Sequence, residues 1–190
     1  NNPLMIRSTK ITEVDKDYPD IVQYLEVAKG EYGYKGVLVC NDSGVITVGT
    51  AGEAVGADVS QMDYFKQAIQ GNTSASNMIP SEIPLTNELG EKELGLPTMF
   101  VSTPLMDRDG VVIGVVAIRV DVNALNDLML SLNLGKTGET YLVNKDGFML
   151  TESRFAAHLK EMGLVKKRCA LSLKLVNSET GELNEGVKQC

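Results

Sequence analysis

GVLVCNDSGVITV, from Gly36 to Val48, is an apolar run that breaks at an Asn-containing turn ending in Gly and then resumes. The same figure returns about 100 residues later as TYLVNKDGFML, Thr140 to Leu150. Superposing the two turns puts Asn41 on Asn144, Ser43 on Asp146 and Gly44 on Gly147. A looser relative, FVSTPLMDRDGVVIGVVAIRVDV (Phe100 to Val122), turns at Asp107 to Gly110. Asn, Asp and Gly tolerate the positive φ of tight hairpin turns, so each copy predicts two antiparallel strands. Two related hairpins at domain-sized spacing predict one small sheet module used twice. The return strand VVIGVVAIRVDV is almost continuously apolar, the pattern of a strand in the middle of a sheet.

Helical spacing flanks these hairpins. IVQYLEVA (Ile21 to Ala28) follows Pro19-Asp20, a start signal, and Gly30, Gly33 and Gly36 loosen the chain after it. In MDYFKQAIQG, Tyr64, Phe65, Ala68 and Ile69 form one stripe of a short helix closed by Gly71. Asn123 is expected to cap ALNDLMLSLNL, which Gly135 ends. Between Pro80 and Pro97, PSEIPLTNELGEKELGLP has no period and reads as a loop long enough to serve as a lid. Beyond His158 there is a helix-like stretch and one strand, SLKLV, too few strands for a second complete sheet. The fold class expected is α+β, an antiparallel sheet module with flanking helices followed by a second, partial module. The expected boundaries are an N-terminal helical segment over 1–30, a first module over 31–133 and a second over 134–190.

The charge balance narrows the partners. A formal net charge of −7 argues against nucleic acid and anionic membrane surfaces, both of which ask for a basic face. No apolar run approaches the roughly 20 residues that span a bilayer. Catalysis finds little to work with. The one histidine, His158, lies in RFAAHLKEM, expected on an exposed helix, which leaves a Ser or Cys nucleophile without a base. DRDG and NKDG lack the acidic positions and distal Glu of a calcium loop. GKTGET (Gly135 to Thr140) lacks phosphate-loop spacing and precedes a strand. Cys40 is expected as a buried, inert thiol, whereas Cys169 and Cys190 pair only in an oxidising compartment and only if the fold brings them together. No catalytic residue, metal site or cofactor is therefore expected.

In order along the chain, DVSQMDYFKQAIQGN, FVSTPLMDRDGVVIGVVAIRVDVNAL and LGKTGETYLVNKDGFMLTESRF resemble segments of the Cache superfamily, in particular the double Cache sensor domains of receptors. The resemblance implies PAS-like modules with a central antiparallel sheet on a long N-terminal helix, and a small ligand between the sheet of the membrane-distal module and its covering loops. It implies an extracytoplasmic, periplasmic or cell-surface, part of a membrane-anchored histidine kinase or chemoreceptor, paired as a homodimer through its N-terminal helices. Where family members that bind amino acids carry an Arg for the ligand carboxylate, this chain has Met62. Where they carry an Asp for the amine, it has Arg119, with Asp121 two residues on. An α-amino acid is therefore not the expected ligand.

Arg119 either pairs with Asp121 on one strand face or offers its planar guanidinium to a small anion such as an organic acid. Tyr64 and Phe65 are read as part core, with one ring available to the cavity. Ser76 and Ser102 are read as pocket-lining or exposed. Phe100 and Ser102 share a strand face opposite Val101 and Thr103, and alternation does not say which face looks inward. The expected ligand-binding set is Tyr64, Phe65, Ser76, Phe100, Ser102, Arg119 and Asp121. Two other readings stand beside it: a ligand-free transmission or partner-docking module, and a cytosolic PAS domain holding haem or flavin.

Overall fold

The structure is a computed structural model describing residues 2–50, 54–87, 89–132, 135 and 138–176. The chain divides into two compact units, Asn1–Asp121 and Val122–Cys190. In the first unit the elements run α1 (Pro3–Ser8), α2 (Tyr18–Tyr32), β1 (Gly36–Asn41), β2 (Ile46–Gly49) and α3 (Asp63–Ile69). Then come the short β3 (Ser74–Ala75), β4 (Ile79–Pro80), β5 (Leu85–Thr86), β6 (Lys92–Glu93) and β7 (Pro97–Thr98), and the long β8 (Phe100–Met106) and β9 (Val112–Arg119). An antiparallel five-stranded sheet has the order β2-β1-β9-β8-β3, with β9 central as its apolar run predicts. The architecture is the expected α+β, PAS-like module.

The two sheet faces bury different things. Leu38, Cys40, Val115, Ala117 and Phe100 pack on one face against Tyr64, Phe65 and Ala68 of α3. Val37, Val39 and Val48 pack on the other against Ile21 and Leu25 of α2, with Ile11 between. Each fully buried aliphatic side chain contributes about 1.5–3 kcal/mol. Alternation is reset once, between Val39 and Cys40 of β1, where Val39 faces Val48 but Cys40 faces Ile46. Thr47 is the extra residue of this bulge, and it lets β2 present Ile46 to one face and Val48 to the other. The Thr47 hydroxyl lies 2.6 Å from the Ser8 carbonyl and fixes the end of α1 to β2.

The hairpin turns follow the sequence reading closely. Asn41 accepts from the backbone N–H groups of Ser43 and Val45 at 3.1 and 2.9 Å, and Gly44 follows at φ 88°. Asp107 accepts from Asp109 and Val111, both at 2.9 Å, before Gly110. Asn144 accepts from Asp146 and Phe148 at 3.0 and 2.9 Å, before Gly147. The helices depart from it in detail. The N-terminal segment is two helices rather than one long one, and α2 runs through Gly30 to stop at Gly33, which takes φ 69°.

The second unit holds α4 (Asn123–Ser131) and α5 (Ala156–Glu161). Asn123 is the first helical residue of α4 and not its cap, which is Val122 with no side-chain hydrogen bond. Asn126 instead reaches out, accepting from the Glu152 N–H at 3.0 Å. Met149, Val165 and Cys169 form a small core. At the Asn144 hairpin the described residues form isolated bridges, Val143 to Met149 and Phe148 to Lys174, with the Leu150 N–H donating to the Leu142 carbonyl at 2.7 Å. The final residues, 177–190, including Cys190 and any pairing of it with Cys169, lie outside the described residues. His158 is exposed on α5 beside Glu161 at 3.6 Å.

Three outcomes follow from the packing. A Cβ on Gly114 would stand 2.3 Å from the Cys40 carbonyl oxygen and 2.7 Å from Thr9 Cγ2. Gly114→Ala is expected to lower unfolding free energy by about 2–3 kcal/mol in urea titration. Gly30, inside α2 with open space around it, is expected to gain about 0.5–1 kcal/mol as Gly30→Ala in the same titration. Burial pushes the Cys40 thiol up to about 12, so iodoacetamide at pH 8 should leave it unmodified by mass spectrometry until the protein is unfolded.

Candidate functional site

Between the α3 face of the sheet and the segment 79–98 lies a cavity of about 230 Å³. Leu38 of β1, Ile46 of β2 and Phe100 of β8 form its floor. Its wall comes from the approach to α3 (Ala57, Asp58, Val59 and Met62) and from Tyr64 of that helix. Its roof is Ile79 to Ile83 with Leu85 and Thr98. The volume is below the roughly 300–1,000 Å³ of drug-sized sites, so it suits a small molecule.

The roof is the stretch that shows no period in the sequence, and it is not a plain loop. It is a flap of two nested ladders, β4 with β7 and β5 with β6, around a turn at Asn87. Asn87 accepts from the N–H groups of Leu89 and Glu91, both at 2.9 Å, and Gly90 takes φ 81°, the same chemistry as the three hairpins. At the neck Pro80 faces Pro97, and neither has an N–H to give. Ser81 holds the neck instead: its N–H donates to the Leu96 carbonyl at 2.8 Å, and its hydroxyl accepts from the Leu96 N–H at 3.0 Å.

Of the expected ligand-binding set, the fold brings two residues to the cavity. Tyr64 and Phe100 stack with ring centroids 4.7 Å apart and an interplanar angle of 26°. Phe65 is buried in the core beside them and is not part of the lining. Ser102 is fully buried, and its hydroxyl donates to the Tyr64 carbonyl at 2.8 Å, fastening α3 to β8. Ser76 accepts from the Phe100 N–H at 2.9 Å and donates to the Asn77 carbonyl, so it pins the sheet edge.

Arg119 pairs directly with Phe100 and Gly36 across the ladders and therefore shares the cavity face, yet it stands outside the lining. Burial lowers its pKa, and the field of Asp121 opposes that. Asp121 itself makes its ion pair with Lys35, at 2.9 Å. The described lining thus holds no cation for the anion expected there. Asp58 and Glu82 put two carboxylates on it instead.

Those carboxylates and the phenol set the electrostatics. The Ser60 N–H donates to Asp58 at 2.8 Å and holds its carboxyl below the usual carboxylate range. Burial, then the fields of Cys40 and Glu82, push the Tyr64 phenol well above its ordinary value, so it stays neutral. A second hollow of about 370 Å³ near α1 is more open, and its Arg7 and Asp15 are engaged with Asp17 and Thr12. Among the described residues no group of three His, Cys, Asp or Glu could hold a metal, and no helix is long and apolar enough to cross a membrane.

The comparisons with known proteins agree on the fold. The ligand-binding domain of the Campylobacter jejuni chemoreceptor Tlp3, solved with 4-methylisoleucine, superposes at TM-score 0.52 and 12% identity over 82% of this chain and 60% of that one. The ligand-binding domain of the Pseudomonas aeruginosa amino acid chemoreceptor PctC, solved with GABA, gives TM-score 0.52 and 20% identity over 85% and 66%. The Escherichia coli DcuS sensor domain gives 0.51 and 15% over 69% and 86%. This chain spans about half to two thirds of the length of most such structures, and as little as 29% of one. No curated protein sequence matches it. The family profile of the Cache domain, dCache_1, matches residues 6–187, and the chain belongs to that family.

Proposed function

We propose that this chain is the extracytoplasmic small-molecule sensor domain of a transmembrane receptor, a histidine kinase or a chemoreceptor, and is itself non-catalytic. The observation that carries the reading is the mainly apolar cavity between sheet and flap in a Cache chain. Tlp3 and PctC, solved with 4-methylisoleucine and with GABA, are relatives of the same fold and support it. Ligand in the cavity stabilises the arrangement in which the 79–98 flap is closed on Leu38, Ile46 and Phe100. Its leverage on signalling equals its difference in affinity for the two receptor states, typically about 1–3 kcal/mol. The receptor works as a homodimer through its N-terminal helices, a reading supported by Tyr24 and Val27, both half-exposed on the outer side of α2, and by Tyr32 near its end.

A thermal-shift screen of small metabolites tests the sensor reading. At a hundredfold excess over the dissociation constant a ligand adds about 2.7 kcal/mol, or about 5–10 °C in Tm. Ile83→Trp, which fills the roof, should abolish the shift while leaving unliganded Tm within a few degrees. A screen that moves nothing would favour a docking module without a ligand. In sedimentation equilibrium, Val27→Asp should weaken self-association at least tenfold; an unchanged monomer–dimer equilibrium would move the interface elsewhere.

A further inference from the structure

The cavity's charged groups are of one sign, beside the neutral hydroxyl residues Tyr64, Ser81 and Thr98. Asp58 and Glu82 carry negative charge on its lining, and no described lining residue is basic. Tyr64 is 96% buried, being 4% exposed, and its hydroxyl makes no hydrogen bond among the described residues although the ring borders the cavity. The hydroxyl oxygen is not one of the sealed, unpartnered side-chain atoms, so it is accessible to a hydrogen bond from a bound molecule. Being neutral, it can accept a hydrogen bond from a ligand N–H. The Tyr64 and Phe100 rings add aromatic surface, which attracts cations, and apart from Ser81 and Thr98 the rest of the lining is apolar.

From these four features together we infer that the ligand is a small organic ammonium ion, with an alkyl body seated on Leu38, Ile46 and Val59 and its charged head between Tyr64, Asp58 and Glu82. This assignment rests on the ligand-binding reading above and gives it a chemical class. A carboxylate in the same place would meet two like charges and no described cation, so anions are disfavoured as well as cations chosen.

The test compares three molecules of one chain length that differ only in head charge: n-pentylammonium, 1-pentanol and pentanoate, titrated calorimetrically into the whole chain. The ammonium ion should bind at least tenfold tighter than the alcohol, and pentanoate should not bind. Its affinity should weaken as salt rises from 20 to 300 mM, because the two carboxylates are at the rim. Glu82→Gln and Asp58→Asn, both at exposed positions that do not threaten folding, should each weaken the ammonium ion about three- to tenfold and leave the alcohol unchanged. Tyr64→Phe, which keeps the ring, should weaken it severalfold.

Pentanol or pentanoate matching the ammonium ion in affinity, with that binding lost in Ile83→Trp, would overturn the ammonium assignment while leaving a ligand-binding cavity in place. Unchanged ammonium affinity in both carboxylate variants would overturn it too. Binding by none of the three overturns it outright, and the wider metabolite screen then decides separately whether the cavity takes any ligand.

Discussion

Strand β9 is hydrogen-bonded along both edges, to β1 and to β8, and its register fixes what each face of the sheet presents. Because side chains alternate, Val115 and Ala117 face α3 while Val116 looks toward α2. A slip of one residue would exchange the two sets. The close approach of Gly114 to the Cys40 carbonyl tolerates no side chain there and holds the two strands in one register. The floor of the cavity and the seat of the N-terminal helices are therefore two sides of one pairing scheme.

Much of this fold is legible in the residues. The Asx–x–x–Gly turns at Asn41, Asp107 and Asn144 close in space as their letters require, since one side-chain oxygen takes two backbone N–H groups and Gly takes the left-handed φ. The same signal was present at Asn87 to Gly90 and passes unnoticed among prolines and glutamates, because strands of two residues are too short to show a period. The bulge at Thr47 is invisible too, for it depends on what β2 meets on each face.

The site is less legible than the fold. Tyr64 and Phe100 reach the cavity because aromatic residues on a short helix and on the facing strand meet across the core. Ser76 and Ser102 look like ligand contacts by composition, but backbone groups claim both. Alternation suggests that Arg119 and Asp121 share a face, but β9 ends at Arg119, and Lys35, far away in sequence, takes the Asp121 carboxylate. The two acidic residues that do line the cavity come from an isolated bridge to Val45 and from the flap, exposed positions where charge ordinarily reads as solvated surface. Local pattern reports the ladder well and the hollow poorly, since a hollow is defined by side chains from distant segments.

Ile46 looks into the cavity, and the next residue, Thr47, grips the carbonyl that ends the first helix. The cavity floor and the end of α1 are thus joined through a single peptide unit. Any shift of Ile46 therefore pulls directly on the last carbonyl of that helix, with no longer relay of contacts between them.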